Sequence, residues 1–336
     1  MKKIYFILVI YCLIWAGCGN HTDQPANAES ATDTNSSARD PLPSWNEGVL
    51  KQSIIAFVKG ATESGSKSFI PVEDRIATFD NDGTLWAEKP IVQVMFAMHR
   101  VKKMVEANPA LAKKQPFMAI VTGDKSYFEK GGEKALFEVI VATHTGMTEE
   151  SFDSTVNEFF STYKYPKYDV SIKGIRYQPQ LELLDYLRAN GFKTFMCTGG
   201  TIDFIRNVAP EYYGIAKEQV MGTTFTYSFS DSTRQLMRTP PIALINDKKG
   251  KPVGIEVHVG KHPVFAAGNV GNEGDIQMLE FCQASKYPSF QLMVNHDDST
   301  REFFYGEKTN ASLNASTKNN WHVVSMKNDW KEIFAK

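Results

Sequence analysis

Short runs of consecutive apolar residues alternate along this chain with longer stretches in which apolar positions recur every three or four residues. Four of the short runs, 76–79, 192–197, 264–267 and 290–294, have strand length and no polar face, the pattern of strands buried on both sides of a parallel sheet. Residues 92–104, 133–141 and 150–163 show helical spacing. So does 180–190, which is entered by Pro179 and stopped by Gly191. Ser44 and Glu47 form a capping-box pattern ahead of Val49, Leu50, Ile54, Phe57 and Val58, predicting a first helix that starts near Trp45. Another helix is expected after Gly200, and the alternation over 223–229 predicts part of a hairpin beside the sheet.

Strands alternating with helices predict an α/β fold with a doubly wound parallel sheet, in which ligands bind beyond the carboxyl ends of the strands. About a hundred residues separate the first two strands, too many for a simple crossover. The reading is therefore a core formed by 45–88 and 170–336, with an inserted α-helical cap at 89–169.

The N-terminus follows a different pattern. Lys2 and Lys3 precede an apolar run over 4–15, then Ala16, Gly17 and Cys18. The run is too short for a stable membrane-spanning helix and matches a secretory signal. Residues 19–44 are mostly small and polar, which predicts a disordered tether.

The whole chain of 336 residues is 42% hydrophobic and 22% charged, enough to bury a sizeable core. Its 37 Lys and Arg against 38 Asp and Glu leave a net charge of −1, which provides no electrostatic footprint for nucleic acid or for an anionic membrane. A small-molecule partner is expected. Cys12 and Cys18 lie within or beside the leader, so Cys197 and Cys282 make no disulfide framework; they read as two buried thiols, with a single bridge between them as the alternative.

The candidate chemistry lies where the strands end. Asp80 and Asp82 follow the first strand in Asp80-Asn81-Asp82-Gly83-Thr84, and Thr198-Gly199-Gly200 follows the second. Lys251 lies in a polar turn before Pro252, with Lys261 as its competitor. Gly268-Asn269-Val270-Gly271-Asn272-Glu273-Gly274-Asp275 follows the third buried run. In this order the four segments resemble the motifs of the haloacid dehalogenase superfamily, and the chain is most similar to secreted bacterial phosphoserine-phosphatase-like hydrolases of that superfamily. The Ala16-Gly17-Cys18 ending, for its part, resembles the lipobox of bacterial lipoproteins.

The superfamily resemblance implies that Asp80 is a nucleophile forming an aspartyl-phosphate and that Asp82 is its general acid and base. It also implies that Thr198, Gly199 and Lys251 bind the substrate phosphate. Mg2+ would be held by Asp80, Asp82 through its backbone carbonyl, and Asp275. Asn269, Asn272 and Glu273 compete for the remaining acidic position of the fourth motif. Glu88 stands near the place where phosphoserine phosphatases hold the substrate ammonium, and Trp86 would wall the pocket or pack in the core. Dehalogenases of the superfamily lack the second aspartate, so Asp82 favours hydrolysis of a phosphoenzyme.

Three functions follow as expectations. The first is an anchored, Mg2+-dependent phosphomonoesterase acting on phosphoserine or a broader set of small phosphates. The others are a pyrophosphatase on the same scaffold and a non-catalytic binding lipoprotein. The implied location is the bacterial cell envelope, reached by export, with the membrane touched only through a lipid anchor at Cys18. If that holds, Cys18→Ser moves the protein from the membrane to the soluble fraction, because one acyl chain alone binds marginally and a lipoprotein cysteine carries several. Unchanged partitioning would refute the anchor.

Overall fold

The computed structural model describes residues 40–336, apart from Asn272 and the side chain of Glu133. The expected leader, Cys18 and residues 19–39 of the tether lie outside the described residues. Residues 40–44, assigned above to the tether, belong to the folded unit, with Leu42 fully buried. The first helix, α1 (Val49–Thr62), starts at Val49 rather than near Trp45. The capping box does not form because one distant and one local partner take its groups. The Ser44 N–H donates to Glu182 Oε2 at 2.8 Å, Glu47 pairs with Lys51, and the Trp45 indole donates to the Pro179 carbonyl at 2.9 Å.

After β1 (Ile76–Phe79) the chain makes a long excursion through α2 (Val92–Ala107), α3 (Phe117–Thr122), α4 (Lys125–His144), β2 (Met147–Thr148), α5 (Glu149–Thr162), β3 (Lys164–Tyr165) and β4 (Val170–Ser171). It returns through α6 (Gln178–Ala189) to β5 (Lys193–Thr201), then α7 (Ile202–Arg206) and α8 (Ala209–Tyr213). A hairpin of β6 (Val220–Phe229) and β7 (Leu236–Leu244) follows. The remainder alternates: α9 (Gly250–Val259), β8 (Phe265–Asn269), α10 (Ile276–Gln283), β9 (Phe290–Asn295), α11 (Ala311–Asn319), β10 (His322–Ser325) and α12 (Met326–Asp329).

Eight strands form one sheet in the order β10-β9-β8-β1-β5-β6-β7-β2, and every neighbouring pair from β10 to β6 is parallel. Alternate side chains of β8 and β9 go to opposite faces. Phe265, Ala267, Leu292 and Val294 pack with α1 and α6, while Ala266 and Met293 pack with α9 and α10. Helices on both faces explain why these strands read as continuous apolar runs. Cys197 and Cys282 are buried free thiols.

The excursion between β1 and β5 is mainly helical, but its β2 pairs antiparallel with β7 at the sheet edge, and β3 and β4 form a separate ribbon. The hairpin predicted beside the sheet is continuous with it, because the start of β6 pairs with β5 before its outer half turns to β7. Buried Arg238 on β7 ties hairpin and excursion together. It is paired with Asp203, its Nε donates to the His144 carbonyl at 2.7 Å, and its guanidinium lies 4.1 Å from the Phe152 ring centroid.

His144 is fully buried, and burial, with the Arg238 charge beside it, pushes its imidazole down to about 3. Neutral in the fold, it takes up a proton near 6.5 in the unfolded chain. Stability should therefore fall as the pH drops through about 6.5 toward 3, by at most about 1.4 kcal/mol per pH unit from this group. Unfolding free energies measured between pH 7 and 5 should have a shallower slope in His144→Gln. Equal slopes would remove His144 from the account.

Candidate active site

Asp80 leaves the carboxyl end of β1, its N–H donating to the Ala267 carbonyl of β8 at 2.9 Å. That bond continues the parallel ladder one residue past the strand and places the Asp80 side chain at the sheet edge. Gly83 makes the following turn with φ +78°, and a Cβ there would come within 2.0 Å of Asn269 Nδ2. Both the backbone angle and the space therefore call for glycine. The turn brings Trp86 back so that its indole N–H donates to Asp82 Oδ1 at 2.9 Å. Trp86 is buried against Phe160 and Tyr213. It packs in the core and at the same time orients Asp82.

Lys251 projects from the first turn of α9 and is buried. Its ammonium donates to Asp80 Oδ1 at 2.6 Å and to Asp275 Oδ1, joining the ends of two parallel strands. Asp275 stands just before α10, and its other oxygen accepts the Asn269 N–H at 2.9 Å. A Cβ on Gly268 would come within 2.4 Å of Asp275 Cβ, so this approach also needs glycine. Burial works against the charge on Lys251, but Asp275 and Asp80 outweigh it and hold the ammonium above its ordinary range. Burial and the Asp275 charge push Asp80 well above the carboxylate range, with Lys251 pulling the other way. Asp82 is pushed up to about 6 by burial, against the Trp86 hydrogen bond.

These groups border a cavity of about 460 Å³ at the carboxyl end of the sheet. Asp80, Asp82, Gly199, Lys251, Asn269, Asp275 and Glu88 all line it. Thr198 lies behind the wall, its hydroxyl accepting the Gly200 N–H at 3.0 Å and its carbonyl accepting from Asn246 at 2.9 Å. Lys261, the competitor of Lys251, is on the surface with Asp74 at 2.6 Å. Glu273 is bound away from the cavity by Thr309 at 2.9 Å, and Asn272 lies outside the described residues. Glu88 does not stand free to take a substrate ammonium. It accepts from Lys89 at 3.1 Å and from Asn269 at 3.3 Å, beside the Tyr305 hydroxyl.

Several cavity residues escaped the sequence reading. Gln93 of α2 reaches the loop after β5, accepting the Thr201 N–H at 3.0 Å and donating to its hydroxyl at 2.5 Å. Asp247 lines the wall between Gly199 and Gly274. Beneath the Gly83 turn lies buried His296, whose Nε2 donates to the Gly83 carbonyl at 2.9 Å while its Nδ1 faces Glu302 at 3.2 Å. Of these only His296, at the carboxyl end of β9, occupies a position that inspection of strand ends would have flagged.

Five carboxylates, Asp80, Asp82, Glu88, Asp247 and Asp275, border the cavity, and Lys251 is the sole basic side chain lining it among the described residues. An excess of negative charge carried entirely on hard oxygen donors fits a divalent cation of the magnesium type. Asp80, Asp275 and the Asp82 backbone carbonyl are the donors available to hold it.

A family model described as haloacid dehalogenase-like hydrolase matches residues 77–243, which contain Asp80, Asp82 and the Thr198 loop. The chain belongs to the haloacid dehalogenase-like hydrolases. Among solved structures, a protein of unknown function from Anaerococcus prevotii DSM 20548 is similar with a TM-score of 0.55 at 12% identity, over 84% of this chain and 94% of that one, and shares the fold. A protein of unknown function from Bordetella pertussis Tohama I follows at TM-score 0.46 and 12% identity, over 75% and 98% of the two chains. A phosphoserine phosphohydrolase-like protein from Francisella tularensis has TM-score 0.39 and 14% identity, over 74% and 94%. No curated protein matches the chain.

The Asp80–Lys251–Asp275 cluster makes a stability prediction. Removing the ammonium leaves two buried carboxylates facing each other, a change that costs about 3–5 kcal/mol. Lys251→Met should lose that much in metal-free denaturant unfolding, and adding Asp275→Asn should restore about 1 kcal/mol or more of it. Strict additivity of the two changes would dissolve the cluster as an energetic unit.

Proposed function

We propose that the protein is a Mg2+-dependent phosphomonoesterase that works through an aspartyl-phosphate on Asp80. What supports this most directly is Asp80 itself, a carboxylate at the cavity floor with the Lys251 ammonium 2.6 Å from its Oδ1 and a second acid, Asp82, two residues on.

In the proposed reaction an Asp80 oxygen attacks phosphorus while the bond to the ester oxygen breaks, and the departing alkoxide takes the proton held by Asp82. The raised position of Asp82 suits it to that role, since it retains a proton at pH values where a solvated aspartate does not. In the second step Asp82 accepts a proton from the water that attacks the aspartyl-phosphate, which releases phosphate and regenerates Asp80. Lys251 offsets negative charge on Asp80 and on the equatorial phosphate oxygens, where stabilisation matters most in phosphoryl transfer. The backbone of Gly199 and Gly200, leading into Thr201 that Gln93 holds, lines the cavity beside them. A magnesium ion bound to Asp80 and Asp275 would supply Lewis-acid polarisation of the phosphate.

Asp80→Asn, which exchanges the nucleophile for an amide, should abolish turnover of para-nitrophenyl phosphate, and excess chelator should do the same for the wild type. In Asp82→Asn, rapid-quench kinetics should show the first step slowed far more for an alkyl phosphate than for the nitrophenyl ester, by roughly 100-fold or more, because nitrophenolate leaves without a proton. The nitrophenyl ester should also give a burst followed by slow turnover, as phosphoenzyme accumulates. Full activity in Asp80→Asn would end the proposal, and equal slowing for both esters without a burst would take the acid–base role from Asp82.

A further inference from the structure

The cavity has two chemically distinct halves. Its floor carries the carboxylates, Lys251 and the Gly199–Gly200 backbone, while the wall opposite is apolar: Val94 from α2, Phe137 and Ile140 from α4, and Ile242 from β7. Ile91, Leu136 and Ile245 continue this wall to the opening, where they are 40%, 43% and 50% exposed. Large apolar side chains left half in water on three separate segments, converging on one opening, are unusual unless something apolar covers them.

Two arginines near the cavity are already committed. Arg238 is fully buried in its pair with Asp203, and Arg100 donates to the Thr143 carbonyl at 3.1 Å. With Lys251 at the floor, no cation lining the upper cavity remains, among the described residues, to hold a substrate carboxylate. Of the acids outside the Lys251 cluster, Glu88 is engaged by Lys89 and Asn269, while Asp247 stands beside Gly199 and Gly274. A zwitterionic leaving group such as serine would leave its carboxylate without a cation partner, against isoleucine, leucine and phenylalanine and above a floor of acids, which costs heavily. An uncharged apolar group would instead cover the exposed wall and gain by it.

Resting on the phosphomonoesterase reading above, we infer that the substrates are phosphate monoesters of apolar alcohols, with an uncharged hydrocarbon leaving group lying against the wall formed by α2, α4 and β7. The phosphate would reach the floor while the hydrocarbon replaces water along Val94, Phe137, Ile140 and Ile242.

The test is kcat/KM for ethyl, butyl, hexyl and octyl phosphate beside phosphoserine, with para-nitrophenyl phosphate as the common reference. The value should climb with chain length by roughly fourfold per added methylene until the wall is covered, the ratio expected for burial of one methylene. Phosphoserine should fall at least roughly 100-fold below butyl phosphate, the scale set by one unpaired carboxylate. Leu136→Gln/Ile245→Gln, both at exposed rim positions where folding is little at risk, should flatten the chain-length dependence, mainly through KM. Hydrolysis of all the esters with a flat series, or with phosphoserine preferred, would overturn the substrate class and leave the phosphatase reading standing. Hydrolysis of none, para-nitrophenyl phosphate included, would overturn the phosphatase reading and this inference with it.

Discussion

A single ammonium group, Nζ of Lys251, lies between two buried carboxylates that arrive on different strand ends. None of the three charges would be tolerable alone at that depth, since each loses its hydration and the others supply most of what replaces it. Asp80 and Lys251 are 171 positions apart in the chain, so the cluster exists only when β1, α9 and the β8–α10 connection are all in place. The Asp80 N–H to Ala267 bond fixes the relative height of β1 and β8, and glycine at 268 lets Asp275 close up behind them. The chemistry at the cavity floor thus depends on strand register, and the cluster in turn penalises any other register.

Support for the floor comes from the last part of the chain. His296 holds the Gly83 carbonyl, Glu302 holds His296, and the Tyr177 hydroxyl donates to Glu302 at 3.0 Å. Tyr177 also stacks on Phe334 and packs against Trp330, whose ring meets Trp45 edge-on at 6.0 Å between centroids. The turn that carries Asp82 is therefore braced through side chains from both ends of the folded unit. In the proposed mechanism, in which Asp82 hands over and recovers a proton, such fixed geometry is an advantage.

Above the floor the division of labour changes. Gln93 clasps the Thr201 loop, so the start of α2 is tied to the core at the point where a phosphate would be cradled, while its neighbours Ile91 and Val94 turn apolar surface to the cavity. The floor is rich in charge, and the wall built from α2, α4 and β7 is apolar. On the proposed reading, the ligand's anionic end would be held by electrostatics and its other end by exclusion of water.

The four central strands and most helices were legible in the sequence because they obey local rules. Strands buried on both faces leave continuous apolar runs, and amphipathic helices leave a period near 3.6. Asp80, Asp82 and Asp275 were legible for a related reason, as they follow strand ends where a doubly wound sheet opens to ligand. What local rules could not weigh was competition from distant groups. Ser44 and Glu47 match a capping box, yet Glu182, far along the chain, takes the Ser44 N–H while Glu47 turns to nearby Lys51, and the helix starts at Val49. Lys251 and Lys261 look alike in sequence, and only the packing of α9 buries the first against Asp80 and leaves the second at the surface with Asp74. The attachment of β2 to β7, the clasp of Gln93, the brace of His296 and the apolar wall from three segments were likewise decided by the tertiary structure. Each joins residues whose sequence neighbours give no hint of the partner, since hydrogen bonding and burial act across space regardless of distance along the chain.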